Sequence, residues 1–162
     1  MSNTGLTERS QDAVQRSGYN ETVIAAGIFF PRGHTAGAFA GGLVGGSIGD
    51  AVGGIAGGVG AMGGALAGRR VADATSGLPQ RTVIAVTEKS VFGFDSARVG
   101  NVRQPTTMLF HIDRHDLVTR IHQRVNVRVL ELHDQALNTT IEIEGSRIPV
   151  LHAGEVISAL KA

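Results

Sequence analysis

The residues best suited to metal chemistry lie close together in the second half of the chain. His111, His115 and His122 each offer ring nitrogens, and Asp113 and Asp116 lie between them. Histidine and carboxylate side chains are common ligands of zinc and other transition metals. The stretch has the pattern of a strand, a turn and a second strand, however, and a spacing of four along a strand separates side chains by about 13 Å. We therefore predict polar turn residues and no metal site.

Other catalytic chemistry has no recognisable arrangement in this chain. The GxSxG turn that exposes a nucleophilic serine is missing, and the absence of cysteine excludes thiol catalysis and disulfides. Glu142 and Glu144 alternate along one strand, which is typical of a solvated face. The glycine pairs form GxGxxG-like strings without a GK[ST] ending or a βαβ context. We predict no enzyme and no cofactor.

The charge balance argues against a nucleic-acid partner. Fifteen Lys and Arg residues oppose 14 Asp and Glu residues, giving a formal net charge of +1, whereas a nucleic-acid-binding domain usually carries a strongly basic surface. The following five arginines could form a weak anion-binding patch: Arg114, Arg120, Arg124, Arg128 and Arg147. Acidic residues lie near them in the sequence, so we predict a solvated face instead.

Outside a glycine-rich stretch, the chain has the pattern of an α+β domain. Residues 1–20 are polar and predict an arm or short helix, without the apolar core of an export signal. Residues 21–30 predict a strand closed by Pro31, and six further strands follow from Arg81, with a loop around Gly100 and Pro105. The last residues, HAGEVISALKA, have helical spacing.

The alternation in the last two strands predicts which side chains are buried. Val125, Val127 and Val129 share one parity, and we place them on the buried face together with Ile141 and Ile143. The residues of the other parity are then predicted to face solvent: Asn126, Arg128, Glu142 and Glu144.

Seven antiparallel strands followed by a helix resemble the pleckstrin-homology-like superfold in its bacterial and GRAM-like forms. The stretch IAVTEKSVFGFDS, from Ile84 to Ser96, is similar to a hairpin common in those domains, and FHIDRHDLVTRI looks like the next strand, turn and strand. The resemblance covers 21–30 and 81–162 and implies a barrel or sandwich closed by the C-terminal helix. Such domains often dock on lipids or proteins. The basic first loop of phosphoinositide binders is replaced here, so that site is not carried over.

The replacement is an insertion at 35–71 in which glycine recurs every fourth residue. Fourteen of the 23 glycines fall between Ala36 and Gly68. Residues spaced by four share one helical face, so the glycines would form a groove that another helix can approach closely. The predicted packing and oligomerisation face consists of Gly37, Gly41, Gly45, Gly49, Gly53, Gly57, Gly60, Gly64 and Gly68.

A helical hairpin explains this insertion better than one straight helix. A straight helix over 36–68 would be about 50 Å long, which exceeds a hydrocarbon core of about 30 Å. It would also leave Asp50 near mid-depth at a cost of roughly 3 kcal/mol. A turn at Asp50 removes both problems. Arg32 before the segment and Arg69 and Arg70 after it favour both ends on the cytoplasmic side.

The sequence therefore predicts a non-enzymatic protein at the cytoplasmic face of a membrane. Its β domain would be anchored by the hairpin, with membrane lipid and further copies of the chain as partners. Exposed in water, the glycines would cost the helix roughly 10 kcal/mol, so the hairpin needs a partner. The alternative is a cytoplasmic subunit of a larger complex, with the hairpin buried against other proteins or lining an apolar channel. A flexible linker is disfavoured by the regular apolar residues between the glycines.

Overall fold

A computed structural model describes residues 4–32, 78–124, 127–147 and 151–162. Two helices flank seven strands. The elements are α1 (Thr4–Arg16), β1 (Val23–Pro31), β2 (Thr82–Thr87), β3 (Ser90–Val99), β4 (Val102–Asp113), β5 (Leu117–Arg124), β6 (Val127–Asp134), β7 (Thr139–Ser146) and α2 (Ala153–Lys161). The predicted α+β class, the seven strands and the C-terminal helix are confirmed. The predicted hairpin insertion at 35–71 lies outside the described residues.

All seven strands belong to one antiparallel sheet in the order β4-β3-β2-β1-β7-β6-β5. Neighbours along the chain pair within two groups, β1–β4 and β5–β7. β1 joins the groups because it pairs with β2 as far as Phe29 and then with β7 through Phe30 and Pro31. The edges of the sheet are therefore β4 and β5.

The sheet has a separate apolar core on each face, each completed by one helix. The α2-side core contains Val156 and Leu160 of α2 with Phe29 of β1 and side chains from both strand groups. The α1-side core contains Val14 of α1 with Phe92 and other side chains of β1–β3. The strand between the two cores, β2, is buried at every residue. This is why its sequence TVIAVT is almost continuously apolar instead of alternating.

The N-terminal helix is an integral part of the domain. Its buried residues are Leu6, Ser10, Ala13 and Val14, which recur at the three- and four-residue spacing of one helical face. The helix ends at Arg16, and Gly18, two residues later, has a left-handed φ of 92°. The Tyr19 N–H donates to the Val14 carbonyl and the Gly18 N–H to the Gln15 carbonyl, a pattern that satisfies the last helical carbonyls. Of the two predicted alternatives, an arm or a short helix, the structure has a helix at Thr4–Arg16, and it is packed on the sheet.

Two glycines let α2 approach the sheet closely. A Cβ atom on Gly27 of β1 would lie 2.8 Å from the His152 carbonyl oxygen at the start of α2. A Cβ atom on Gly145 of β7 would lie 2.7 Å from the Ala153 Cβ. Real Cβ contacts are longer than this. The absence of a side chain at both positions therefore sets the distance between helix and sheet.

The predicted loop around Pro105 is wrong. Pro105 is a buried residue of β4 and lies opposite Ser96 of β3. Proline cannot donate a ladder hydrogen bond, but it is tolerated in an edge strand, where one side of the backbone has no neighbour. Only the turn at Gly100 interrupts the two strands, so the β3–β4 hairpin is longer than predicted.

The predicted parity of β6 is also wrong. Leu130 lies opposite Ile143 and Leu132 opposite Ile141, and these residues share the α2-side core. Val129 lies on the other face, opposite Glu144. The larger leucines occupy the core, and an offset of one residue reverses the faces of a strand. Glu144, predicted to face solvent, is only 2% exposed.

Candidate functional site

The glycine-rich segment is attached at one end of the sheet. The structure describes the chain up to Arg32 and again from Leu78, and residues 33–77 connect β1 to β2. Phe29 near the end of β1 lies opposite Thr82 at the start of β2. Paired strands are about 4.8 Å apart. The chain therefore leaves the sheet and re-enters it on neighbouring strands. We call this end of the sheet the attachment end.

Most of the predicted site residues lie outside the described part of the chain. This applies to the nine glycines of the predicted packing face, to the predicted turn residue Asp50, and to Arg69 and Arg70. Among the residues that the structure does describe, no helix is both long enough and apolar enough to cross a membrane. Of the predicted site, only Arg32 has a described position.

Arg32 lies at the attachment end and forms an ion pair with Glu142 of β7. Its side chain is 45% exposed, so solvent weakens the pair. Nearby, the Arg81 guanidinium lies 5.8 Å from the centre of the Phe30 ring, within the range of a cation–π contact. Two arginines therefore flank the point where the segment leaves and re-enters the sheet.

The β3–β4 hairpin projects from the same end. Thr82, the first residue of β2, lies opposite Asp95, and β3 continues to Val99. The hairpin therefore extends past β2 by about 13 Å, at roughly 3.3 Å per residue. Helix α1 supports its outer strand, because Arg9 Nε donates to the Arg103 carbonyl at 3.1 Å. The register of the strands places the hairpin at the attachment end.

The tip of this hairpin, residues 98–103, is an exposed site that the sequence analysis missed. Val99 and Val102 are 56% and 40% exposed although they pair with each other across the turn. Arg98 is exposed beside them, and its Nε donates to the Gly100 carbonyl at 3.1 Å. The available signal was the pair of valines around Gly-Asn, a common hairpin turn composition. Gly100 and Pro105 together predict a loop there instead.

The three histidines of the candidate metal cluster do not converge. The His111 ring contacts the rings of Tyr19 and Phe92 in tilted orientations, with centroids 4.6 and 4.9 Å away. His122 faces Glu131 at 3.8 Å on the neighbouring strand. A smaller group of possible metal ligands lies in the β4–β5 turn. There, ligand atoms of Asp113, His115 and Asp116 lie within 4.8 Å of one another. Asp113 and His115 are exposed, as expected for a surface turn.

A polar cluster beneath this turn contains a serine, a histidine and an aspartate. Ser90 Oγ lies 3.1 Å from His111 Nε2 and 3.4 Å from Asp113 Oδ1. The same Nε2 atom lies 3.5 Å from Asp113. In a hydrolytic triad, the carboxylate instead holds the other ring nitrogen and leaves Nε2 to accept the serine proton. The cluster therefore lacks the order of groups that activates a nucleophile.

Hydrogen bonding gives this cluster a structural role. Ser90 Oγ also lies 3.2 Å from Glu21 Oε1, and Thr87 Oγ1 donates to Glu21 Oε2 at 2.5 Å. A consistent assignment has His111 Nε2–H donating to Ser90, and Ser90 donating to Glu21. Glu21 lies in the link between α1 and β1, and Thr87 ends β2. The cluster therefore fastens the N-terminal link to the β2–β3 turn, at the end of the sheet opposite the attachment end.

Comparison with known proteins adds no family to these observations. No family model, curated protein or solved structure matches the chain.

Proposed function

We propose that this is a non-enzymatic, membrane-associated protein in which residues 35–71, between β1 and β2, form a glycine-zipper helical hairpin. The hairpin anchors the β domain and assembles it with further copies of the chain. One observation carries the proposal, namely that the segment leaves β1 and enters β2 at the same end of the sheet. An insertion with adjacent ends can enter a membrane and return to the same side while the strands stay paired.

The sequence of the segment supports a packed hairpin. Glycines at positions such as Gly41, Gly45 and Gly53 recur every fourth residue, with apolar side chains between them. Each glycine costs a helix about 1 kcal/mol relative to alanine in water. In lipid, unpaired backbone groups cost several kcal/mol each, which favours a helix, and small residues allow two helices to pack closely. The segment is therefore better suited to lipid or a helix interface than to exposure in water.

The remainder of the chain is proposed to be a pleckstrin-homology-like platform. The support is the pairing of β1 with both β2 and β7, which draws the two strand groups together, and the position of α2 in the core between them. Seven antiparallel strands and a closing C-terminal helix are what the resemblance implies. We place this platform on the cytoplasmic side, because Arg32, Arg69 and Arg70 flank the segment and arginines favour that side.

Replacing Gly45 and Gly53 with leucine should abolish self-assembly. A leucine forced into a close-packed interface costs roughly 1–3 kcal/mol, so the pair should weaken association by more than about tenfold. The oligomer size in mild detergent, measured by light scattering, should fall to that of a monomer. The thermal unfolding of the β domain should not change, because the substitutions lie outside it.

The matched control replaces the same two glycines with alanine. Alanine keeps a small residue at each position, so the close approach of helices is retained and the oligomer should persist. An unchanged oligomer in the Gly45→Leu, Gly53→Leu protein would contradict the role of the glycine face.

A further inference from the structure

We propose that the tip of the β3–β4 hairpin, residues 98–103, is a second membrane contact that docks on an anionic lipid surface. This inference rests on the proposed function, because it takes the membrane that residues 35–71 are proposed to enter as the surface that the tip touches. It adds a contact site and a class of lipid that the anchoring segment does not specify.

Position is the first support for this contact. Strand register places the tip at the attachment end, on the side where the chain leaves β1 and enters β2. The tip extends past Thr82 by roughly 13 Å. A domain held to a membrane at its attachment end therefore presents this hairpin to the same surface. The contact of Arg9 with the Arg103 carbonyl holds the hairpin against α1, so its direction is fixed by the fold.

Chemistry is the second support. Val99 and Val102 are two of the four large apolar residues that are exposed in the described part of the chain. They sit together at a turn, where a β-branched pair is a small apolar wedge. Between Ser96 and Gln104 the hairpin contains two arginines and no acidic residue. An apolar tip beside cationic side chains matches the boundary between acyl chains and anionic headgroups.

The exposure of Arg98 favours lipid headgroups as the partner of the tip. Its Nε donates to the Gly100 carbonyl. The remaining N–H groups of the guanidinium make no hydrogen bond within the described residues. Guanidinium groups bind phosphate oxygens through paired N–H donors. A basic residue close to an anionic membrane contributes about fivefold to binding. Docking of the tip should therefore depend on the content of anionic lipid.

The chain contains no cysteine, so one introduced cysteine reports one position. The full chain carrying Asn101→Cys, labelled with an environment-sensitive fluorophore, is reconstituted by detergent removal into vesicles of zwitterionic lipid with or without anionic phospholipid. The emission should shift to the blue in the anionic vesicles and much less in the zwitterionic ones. Arg98→Gln should reduce the ratio of docked to undocked tips by roughly fivefold. Val99→Ser with Val102→Ser should remove the shift.

The matched control carries the label at Glu88→Cys, in the β2–β3 turn at the other end of the same strands. That label should remain in water in both kinds of vesicle. If the label at position 101 stays as aqueous as the label at position 88 while the protein floats with anionic vesicles, the tip inference is wrong and the proposed anchor stands. Protein that floats with neither kind of vesicle overturns both. An equal blue shift at position 101 in both kinds of vesicle contradicts the dependence on anionic lipid and also overturns the inference.

Discussion

Deleting Ala36–Gly68 should release the protein from membranes that have been washed with carbonate, while the β domain stays folded. The intact chain should remain in the washed membrane pellet. The deletion protein should be soluble because it lacks the proposed anchor. Its β domain should still fold, because the residues left between Arg32 and Leu78 are sufficient to join two adjacent strands. Connections of two to a few residues close such strands in ordinary hairpins. Fractionation followed by immunodetection checks the distribution.

Thermal unfolding of the deletion protein is the control for misfolding. Its soluble fraction should unfold cooperatively on heating, with the circular dichroism of a β-rich domain. If the intact protein and the deletion are both soluble, the anchor is contradicted, and the segment must be buried against other proteins. If the deletion protein unfolds cooperatively but stays in the washed pellet, another part of the chain attaches it to the membrane.

Gly27→Ala should destabilise the β domain by about 1–3 kcal/mol, the usual cost of overfilling a packed core. The new Cβ atom would lie 2.8 Å from the His152 carbonyl oxygen and 3.0 Å from Val156 Cγ2. The first of these atoms belongs to the backbone, so α2 would have to move away from β1 to accommodate it. Chemical unfolding of the deletion protein, with and without Gly27→Ala, measures the change in unfolding free energy.

Gly154→Ala is the matched control for this experiment. Gly154 is in α2, and the nearest heavy atom to an added Cβ there is Arg128 Nη1 at 3.9 Å. Alanine should be neutral or stabilising by up to about 1 kcal/mol, because it has the higher helix propensity. Equal effects of the two substitutions would contradict the close approach of α2 to β1.

The strands could be predicted because their local patterns agree with their environments. β2 lies between two cores and is continuously apolar, and β7 alternates because only one of its faces reaches the α2-side core. The parity of β6 could not be predicted, because VRVLEL offers valines on one face and leucines on the other. The pairing of Leu130 with Ile143 decides that the leucine face is buried. This contact joins two strands, so the alternation within β6 alone cannot predict it.

Only part of the candidate site could be predicted, because several of its contacts join residues that are distant in the sequence. The position of Arg32 beside the segment is visible in the sequence, but its ion pair joins residues that are far apart along the chain. The hairpin tip was missed because Pro105 suggested a loop, whereas an edge strand accommodates proline. The Ser90 cluster likewise brings together Glu21, Thr87 and His111 from separate elements. Each of these features is set by the order of strands in the sheet.

The most direct test of the membrane anchor is the depth of the glycine-rich stretch Ala36–Gly68 in a bilayer. Single cysteines in the full chain at Val44 and Val59, and at Thr35 and Ala72 as flanking controls, would carry a fluorophore in vesicles whose lipids have brominated acyl chains. The proposed hairpin predicts strong quenching at positions 44 and 59 and little at positions 35 and 72. Vesicle-bound protein without quenching at positions 44 and 59 would contradict insertion and place the segment against protein instead.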